Sequence, residues 1–434
     1  MPLCTVTVCV IIALRVHLTR KRFTMKHIGI LAATAVTLIL CASCNTINEK
    51  TNPYKPLELS TRATKFVEDG HSFSFDFLDQ INSATDQDYI ISPLSMQFLL
   101  GMILNGATDE TSKEICDVLG YGAGEVDAVN EYVSSMLKQL PEMDRKTTLT
   151  IANAIFVDDG WPLKKEYVNA VEKSYDAKVA NLNFADEARA LKTINGWCSD
   201  HTNRMIPKVL DSVDPNMLAY LLNAIYFKSQ WKEKFPKGNT ADEDFTNEAG
   251  VKGKVKMMKQ EKKHPYTEND IFQAVSMSYG NGVYAMVALL PQPGHTVAEI
   301  TKYLRNNDWP DLRRGMFTCQ VDLWLPRFET KFGMKLNELL SAMGMPRAFD
   351  PDLAQFKAMS DYAGYLDFVR QDAAIKVDEE GTEAAAVSSA GMMKETAAAP
   401  PERAVFHADH PFIYLITENS TGAVLFAGRY ASGL

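Results

Sequence analysis

One large domain of the α+β class is what this 434-residue sequence predicts. Three observations lead there. Strand-like apolar runs recur along the body, with helical patches between them. No fixed-period self-similarity is present, which excludes a solenoid. No internal boundary divides the body into separate units. The composition agrees, with 46% apolar and 23% charged residues, a globular balance.

The body opens on a helix. Thr64 to Ile81 puts Phe66, Phe73 and Phe77 on one face, with Phe75 off it and Gly70 as an irregularity. Ser92-Pro93 predicts a second helix start, followed by the apolar run Met96 to Leu104 and a stop at Asn105-Gly106. Strand runs follow at Leu149–Val157, Met217–Phe227, Val283–Leu290 and Gln320–Leu325. Leu191–Asp200 and Met334–Met343 read as helices. Ala373–Asp378 is strand-like. Phe412–Thr417 and Ala423–Ala427 flank Asn419-Ser420-Thr421-Gly422, a strand, turn, strand signal.

The first 44 residues read as an address. Leu3–Leu14 is apolar but too short to span a bilayer, and it runs into Arg20-Lys21-Arg22. Met25-Lys26 opens a second stretch, apolar from Ile28 to Leu40, ending Leu40-Cys41-Ala42-Ser43-Cys44. Basic start, apolar middle and small residues before a cut describe a secretory signal. The Cys after the cut resembles a bacterial lipobox, with Cys41 where Leu is usual. The expectation is a start at Met25, targeting residues 1–43, a lipid on Cys44, a polar tether over 44–58 and one domain over 59–434. Ordinary cleavage or an uncleaved anchor are the alternatives. Of the remaining cysteines, Cys116, Cys198 and Cys319 are far apart and read as buried free thiols.

Composition and motifs exclude several functions. A net charge of −9 lacks the cationic surplus that nucleic-acid phosphates require. There is no G-x-S-x-G elbow, no H-E-x-x-H helix and no phosphate loop. Gly120, Gly122 and Gly124 have the wrong spacing for a dinucleotide loop. His407 and His410 lack a third ligand and read as structural, with no metal or cofactor expected. Trp231 and Trp324 read as core.

One stretch carries a mechanism. Glu379 to Pro401 is rich in small residues and has no Pro before Pro400. Read as a surface segment it is a flexible linker. Read as a strand, alternate residues Thr382, Ala384, Ala386, Ser388, Ala390 and Met392 are all uncharged. The other parity carries Glu383, Val387, Ser389, Gly391 and Met393. One face could therefore be buried with little steric cost while Glu383 points out.

This stretch, Glu379-Glu380-Gly381-Thr382-Glu383-Ala384-Ala385-Ala386, resembles the hinge of the serpins. Asn223 to Trp231 resembles their signature strand end, with Ser229 where Gly is usual. Ile91-Ser92-Pro93-Leu94-Ser95, Asn153-Ala154-Ile155-Phe156, Leu325-Pro326-Arg327-Phe328 and His410-Pro411-Phe412 also fit, in order, across residues 60 to the end. The resemblance implies one domain with three β-sheets, eight or nine helices and an exposed reactive loop.

It further implies suicide-substrate inhibition of a serine or cysteine protease. The protease attacks a loop bond, an acyl-enzyme forms, and the freed loop inserts as a strand of the central sheet. Counting from the hinge by the family's usual spacing gives the bond Glu395–Thr396. Counting back from the carboxy-terminal motifs places it near Ala397. Lys394 suits a trypsin-like pocket, and Met393 or Met392 an elastase-, subtilisin- or chymotrypsin-like one. Ser92, Asn223, Gln371 and His410 fall in the region where the sheet opens. Gln371 stands where relatives often carry His, so opening at this position should not titrate near neutrality. The expectation is a monomer that is not itself an enzyme, lipid-anchored at the bacterial outer membrane or cell surface or released outside the cell. A non-inhibitory binding or chaperone-like role is the alternative.

Overall fold

The helices form where the sequence supplies caps and an apolar face. α1 (Thr61–Ala84) starts at Ser60, whose hydroxyl accepts the Ala63 N–H. Gly70 lies inside it because α2 (Pro93–Leu104) crosses there. A Cβ at Gly70 would sit 2.8 Å from the Gln97 side-chain oxygen. Phe75, expected off the buried face, is buried too, edge-on to Trp309. Every residue of α2 is buried, as befits a helix covered on all sides. Ser92 caps it, accepting the Ser95 N–H.

The computed structural model of the chain describes residues 4–7, 52–122, 124–380 and 403–433. Among these, nine helices and three sheets make one domain. The further helices are α3 (Asp109–Leu119), α4 (Val126–Gln139), α5 (Lys165–Tyr175), α6 (Glu187–His201), α7 (Val297–Asn306), α8 (Trp309–Arg314) and α9 (Asn337–Met343). Among the described residues, no helix is long and apolar enough to cross a membrane.

The first sheet contains β1 (Cys4–Thr7), β3 (Thr148–Asp158), β4 (Ala177–Leu182), β5 (Ala219–Ser229), β11 (Phe328–Lys335) and β12 (Arg370–Val377). Their order is β11-β12-β1-β5-β3-β4. The second sheet runs through β2 (Tyr89–Ile91), β8 (Phe272–Ser278), β9 (Tyr284–Pro291), β14 (Phe412–Glu418) and β15 (Val424–Tyr430). The third combines β6 (Ala241–Thr246), β7 (Lys252–Glu268), β10 (Phe317–Pro326) and β13 (Arg403–His407). The 17-residue β7 pairs with β6 and β10 and then with β8, so the second and third sheets share one ladder.

β9, β14 and β15 are buried along their whole length, and they make the core. Between β14 and β15 the chain turns at Gly422, with φ +83°. A Cβ there would run into the Arg313 guanidinium. Three expectations change. Met334 and Lys335 continue β11, paired with Gln371 and Arg370, and only Asn337–Met343 is helical. Cys116 and Cys319 are buried and free, but Cys198 is disulfide-bonded. Trp324 is half-buried between the Lys259 ammonium, 3.7 Å from the ring centre, and the stacked His407 ring.

Candidate functional site: an opened sheet and its hinge

β12 leads into the small-residue segment, and its last residues are tied down one by one. The Asp378 carbonyl accepts the Trp231 indole N–H at 2.8 Å. The Asp378 Oδ1 accepts the Glu380 N–H at 2.9 Å, while its buried Oδ2 has no partner among the described residues. Burial pushes this carboxyl above its ordinary range. Glu379 is 3% exposed. Its Oε1 accepts from the Thr240 hydroxyl at 2.6 Å and from the Arg327 guanidinium at 2.5 Å. Burial opposes its charge, but these two donors prevail and hold the carboxyl below its usual value. Glu380 pairs with Lys237 at the surface, which lowers its carboxyl as well.

Gly381, Thr382, Glu383, Ala384, Ala385 and Ala386 lie outside the described residues, as do Met393, Lys394, Glu395, Thr396 and Ala397. The chain returns at Arg403, where β13 joins the third sheet parallel to β10. The loop thus connects two different sheets.

The first sheet is parted between β5 and β12. Near the hinge end the gap is filled by β1, antiparallel to both neighbours. Cys4–Thr7 pair with Tyr226–Ser229, and Thr5–Thr7 pair with Ala374–Lys376. Further along, a cavity of about 330 Å³ continues between the strands. Its walls include Leu218 just before β5, Leu222 of β5, Leu99 of α2 and Phe368 before β12, with Asn223 and Gln371 at its polar edge.

Polar side chains bridge the floor of this gap. The Gln371 amide forms two bonds with the Ser92 backbone: its Oε1 accepts the N–H and its Nε2 donates to the C=O, both at 3.0 Å. The Ser92 hydroxyl donates to the Leu425 carbonyl at 2.7 Å. Ser95 donates to the Asn223 Oδ1, and the Asn223 Nδ2 donates to the Asn153 Oδ1 at 2.7 Å. Asn153 donates in turn to the Tyr175 carbonyl at 2.6 Å. Ser92, Gln371 and Asn223 therefore come together around the start of α2. Ser229, where Gly is usual, is fully buried, with its hydroxyl 2.6 Å from that of Thr147.

His410 is not among them. It sits beyond β13, with Nδ1 2.7 Å from the Asp409 carboxylate and Nε2 3.1 Å from the Pro291 carbonyl. Sequence reasoning also missed Arg327, Thr240 and Lys237 as hinge partners. A buried Glu demands a cation, but only the fold says which one.

A parted sheet, a tethered hinge and a loop that returns to another sheet make a defined architecture. The profile described as "Serpin (serine protease inhibitor)" matches residues 68–432. The chain belongs to the serpin family. Human serpin B3 is 31% identical over 385 residues, covering 83% of this chain and 97% of its own. The leukocyte elastase inhibitor of Xenopus tropicalis is 32% identical over 379 residues, with the same coverage of both. The native state of the thermophilic serpin tengpin superposes with a TM-score of 0.75 at 30% identity, over 88% of this chain and 97% of its own. Serpins are generally inhibitors of proteases rather than catalysts, and some are non-inhibitory.

Proposed function

We propose that this serpin is a suicide-substrate inhibitor of serine endopeptidases, with cysteine endopeptidases as a second target class. The observation that carries the reading is the gap between β5 and β12, which accepts a strand antiparallel to both at the end where the hinge begins.

The chemistry is the protease's own. Its nucleophile attacks the carbonyl before the scissile bond, forming an ester as the peptide bond breaks. The new amino terminus leaves with the β13 side. The serpin supplies the mechanical step. The segment 381–402 has 22 residues, roughly 75 Å when fully extended. A strand running the length of β5, 11 residues, takes up about half of that reach. The other half must run back to β13, leaving no slack for deeper insertion while the loop is whole. Cleavage removes that tether, and the even-numbered residues from Thr382 to Met392 can then enter the gap. The protease is carried along, and distortion of its site stalls ester hydrolysis.

The bond Glu395–Thr396 is the first candidate, with Ala397 and the Met393–Lys394 pair as neighbouring baits. One relative is named for elastase inhibition, a protease type that Met393 suits. Export with a lipid on Cys44 would place the inhibitor on the cell envelope. The supporting signals are the apolar run Ile28–Leu40 and the Cys41-Ala42-Ser43-Cys44 end.

The test mixes the processed protein with Glu-specific, trypsin-like, elastase-like and subtilisin-like proteases. A band that survives denaturation, with a released peptide beginning at Thr396, supports both mechanism and bond. Another peptide start moves the bond. Clean cleavage with no adduct for any protease, and no gain in heat stability afterwards, sinks the inhibitory reading in favour of a binding role.

A further inference from the structure

β1 is the chain's own amino-terminal segment, and it lies where the proposed mechanism needs an empty berth. Its partners Ala374–Lys376 are among the last residues before the hinge, Lys376 preceding Glu379 by three positions. A loop turning back from β12 takes its first ladder bonds from this same edge. Each backbone N–H and C=O facing the gap serves one neighbour in a ladder. Seating of β1 and entry of Thr382–Ala386 are therefore mutually exclusive at the mouth of the gap. At one position the sequence of β1 also matches its neighbours. Val6 is in register with Phe227 and Ile375, both fully buried. Thr5 is in register with Lys228 and Lys376, which are partly exposed. Thr7 is in register with Tyr226 and Ala374, which are buried as well, so the apolar match of β1 to its neighbours is carried by the Val6 position.

We propose that this amino-terminal segment is a removable plug. Seated as β1, it closes the berth of the reactive loop; a chain initiated at Met25, or cut before Cys44, lacks it and is open. The choice of start or the removal of the leader then decides whether the protein can insert its loop. The functional consequence rests on the inhibitory reading, whereas the seating of the plug does not.

The test compares the full 434-residue chain with its Val6→Asp and Val6→Ile variants. A carboxylate at the buried register position is costly to bury, so V6D should unseat β1, while V6I should keep it. Amide exchange at Tyr226–Ser229 and Ala374–Lys376 should speed up in V6D alone, with β9 and β14 still protected as evidence of an intact fold. The covalent protease adduct should be absent or slow for the parent and V6I, and strong for V6D. Equal exchange in all three chains would overturn the plug. Faster exchange in V6D with equal adduct yields would overturn its blocking role. Faster exchange with no adduct from any chain would uphold the plug and remove the inhibitory reading instead.

Discussion

Arg327 donates to the buried carboxylate of Glu379, across the junction where β10 passes into β11 and β12 passes into the hinge. The pair fixes the root of the loop to the edge of its own sheet. Removing Arg327 leaves a buried carboxylate with Thr240 as its one remaining side-chain donor among the described residues. Arg327→Ala should therefore cost at least about 1–3 kcal/mol of stability, the usual penalty for orphaning a buried acceptor, which is larger when the acceptor is charged. Glu379→Gln should cost less, because it removes the buried charge along with the need for its partner. Urea midpoints of the two variants and the double variant give the coupling. Additive losses would show that the pair does not act as a unit. The folded carboxyl is depressed, so its contribution is present above the ordinary carboxylate range and disappears as pH falls through the lowered value.

Asp378 has the opposite sign. Its buried, half-satisfied carboxylate is raised, so ionisation works against the native state as pH climbs past the ordinary carboxylate value. Asp378→Asn retains an oxygen for the Glu380 N–H and removes the charge. The melting temperature at neutral pH should rise, and insertion after loop cleavage should slow. A lower melting temperature would contradict this.

Gln371 closes a two-bond ring on the Ser92 backbone and cannot titrate. Gln371→Ala leaves the buried Ser92 N–H without its acceptor, while the Ser92 C=O keeps the Met96 N–H at 3.1 Å, a loss of about 1–3 kcal/mol. Gln371→His should introduce a pH dependence of thermal stability between pH 5 and 8 at a site that otherwise has none. Melting curves across that range, with and without the substitution, would show it. Superimposable profiles would dismiss the role.

His410 faces two acceptors, the Asp409 carboxylate and the Pro291 carbonyl. The imidazolium can donate to both, and the neutral ring to only one. Burial pushes its pKa down, but the two acceptors win and raise it above the ordinary 6.5. Its contribution is thus complete below pH 6.5 and is lost as pH rises through the raised value. Histidine proton shifts should titrate above 6.5, and His410→Gln should flatten the stability profile in that interval.

The face proposed to insert, Thr382 to Met392 on the even positions, is uncharged. Ala386→Arg puts an unpaired cation on it, at a burial cost of several kcal/mol, enough to favour ester hydrolysis over insertion by at least about 100-fold. The covalent band should vanish while the loop is still cut at the same bond. Glu383→Arg, on the other parity, should leave the band intact. Equal yields from the two variants would mean that the loop does not enter with this register.

The sequence by itself determined the elements whose patterns are local. Ser92-Pro93 starts α2, Asn419 to Gly422 turns β14 into β15, and the alternation from Gln320 to Leu325 lies within β10. These follow from caps, turn geometry and period-two patterning, which act between near neighbours. Lys-rich β7 escaped notice because its partners, the acidic β6 and the distant β10, make it a strand, and charge alone reads as surface. What only the tertiary structure decided is which far residues meet. Arg327, Thr240 and Glu379, or Gln371 and Ser92, are separated by dozens to hundreds of positions. Their pairing depends on sheet register and on where a buried carboxylate or amide can find a donor. The same holds for β1. A four-residue Cys-Thr-Val-Thr run is no strand on its own, and becomes one where two parted edges offer it hydrogen bonds on both sides.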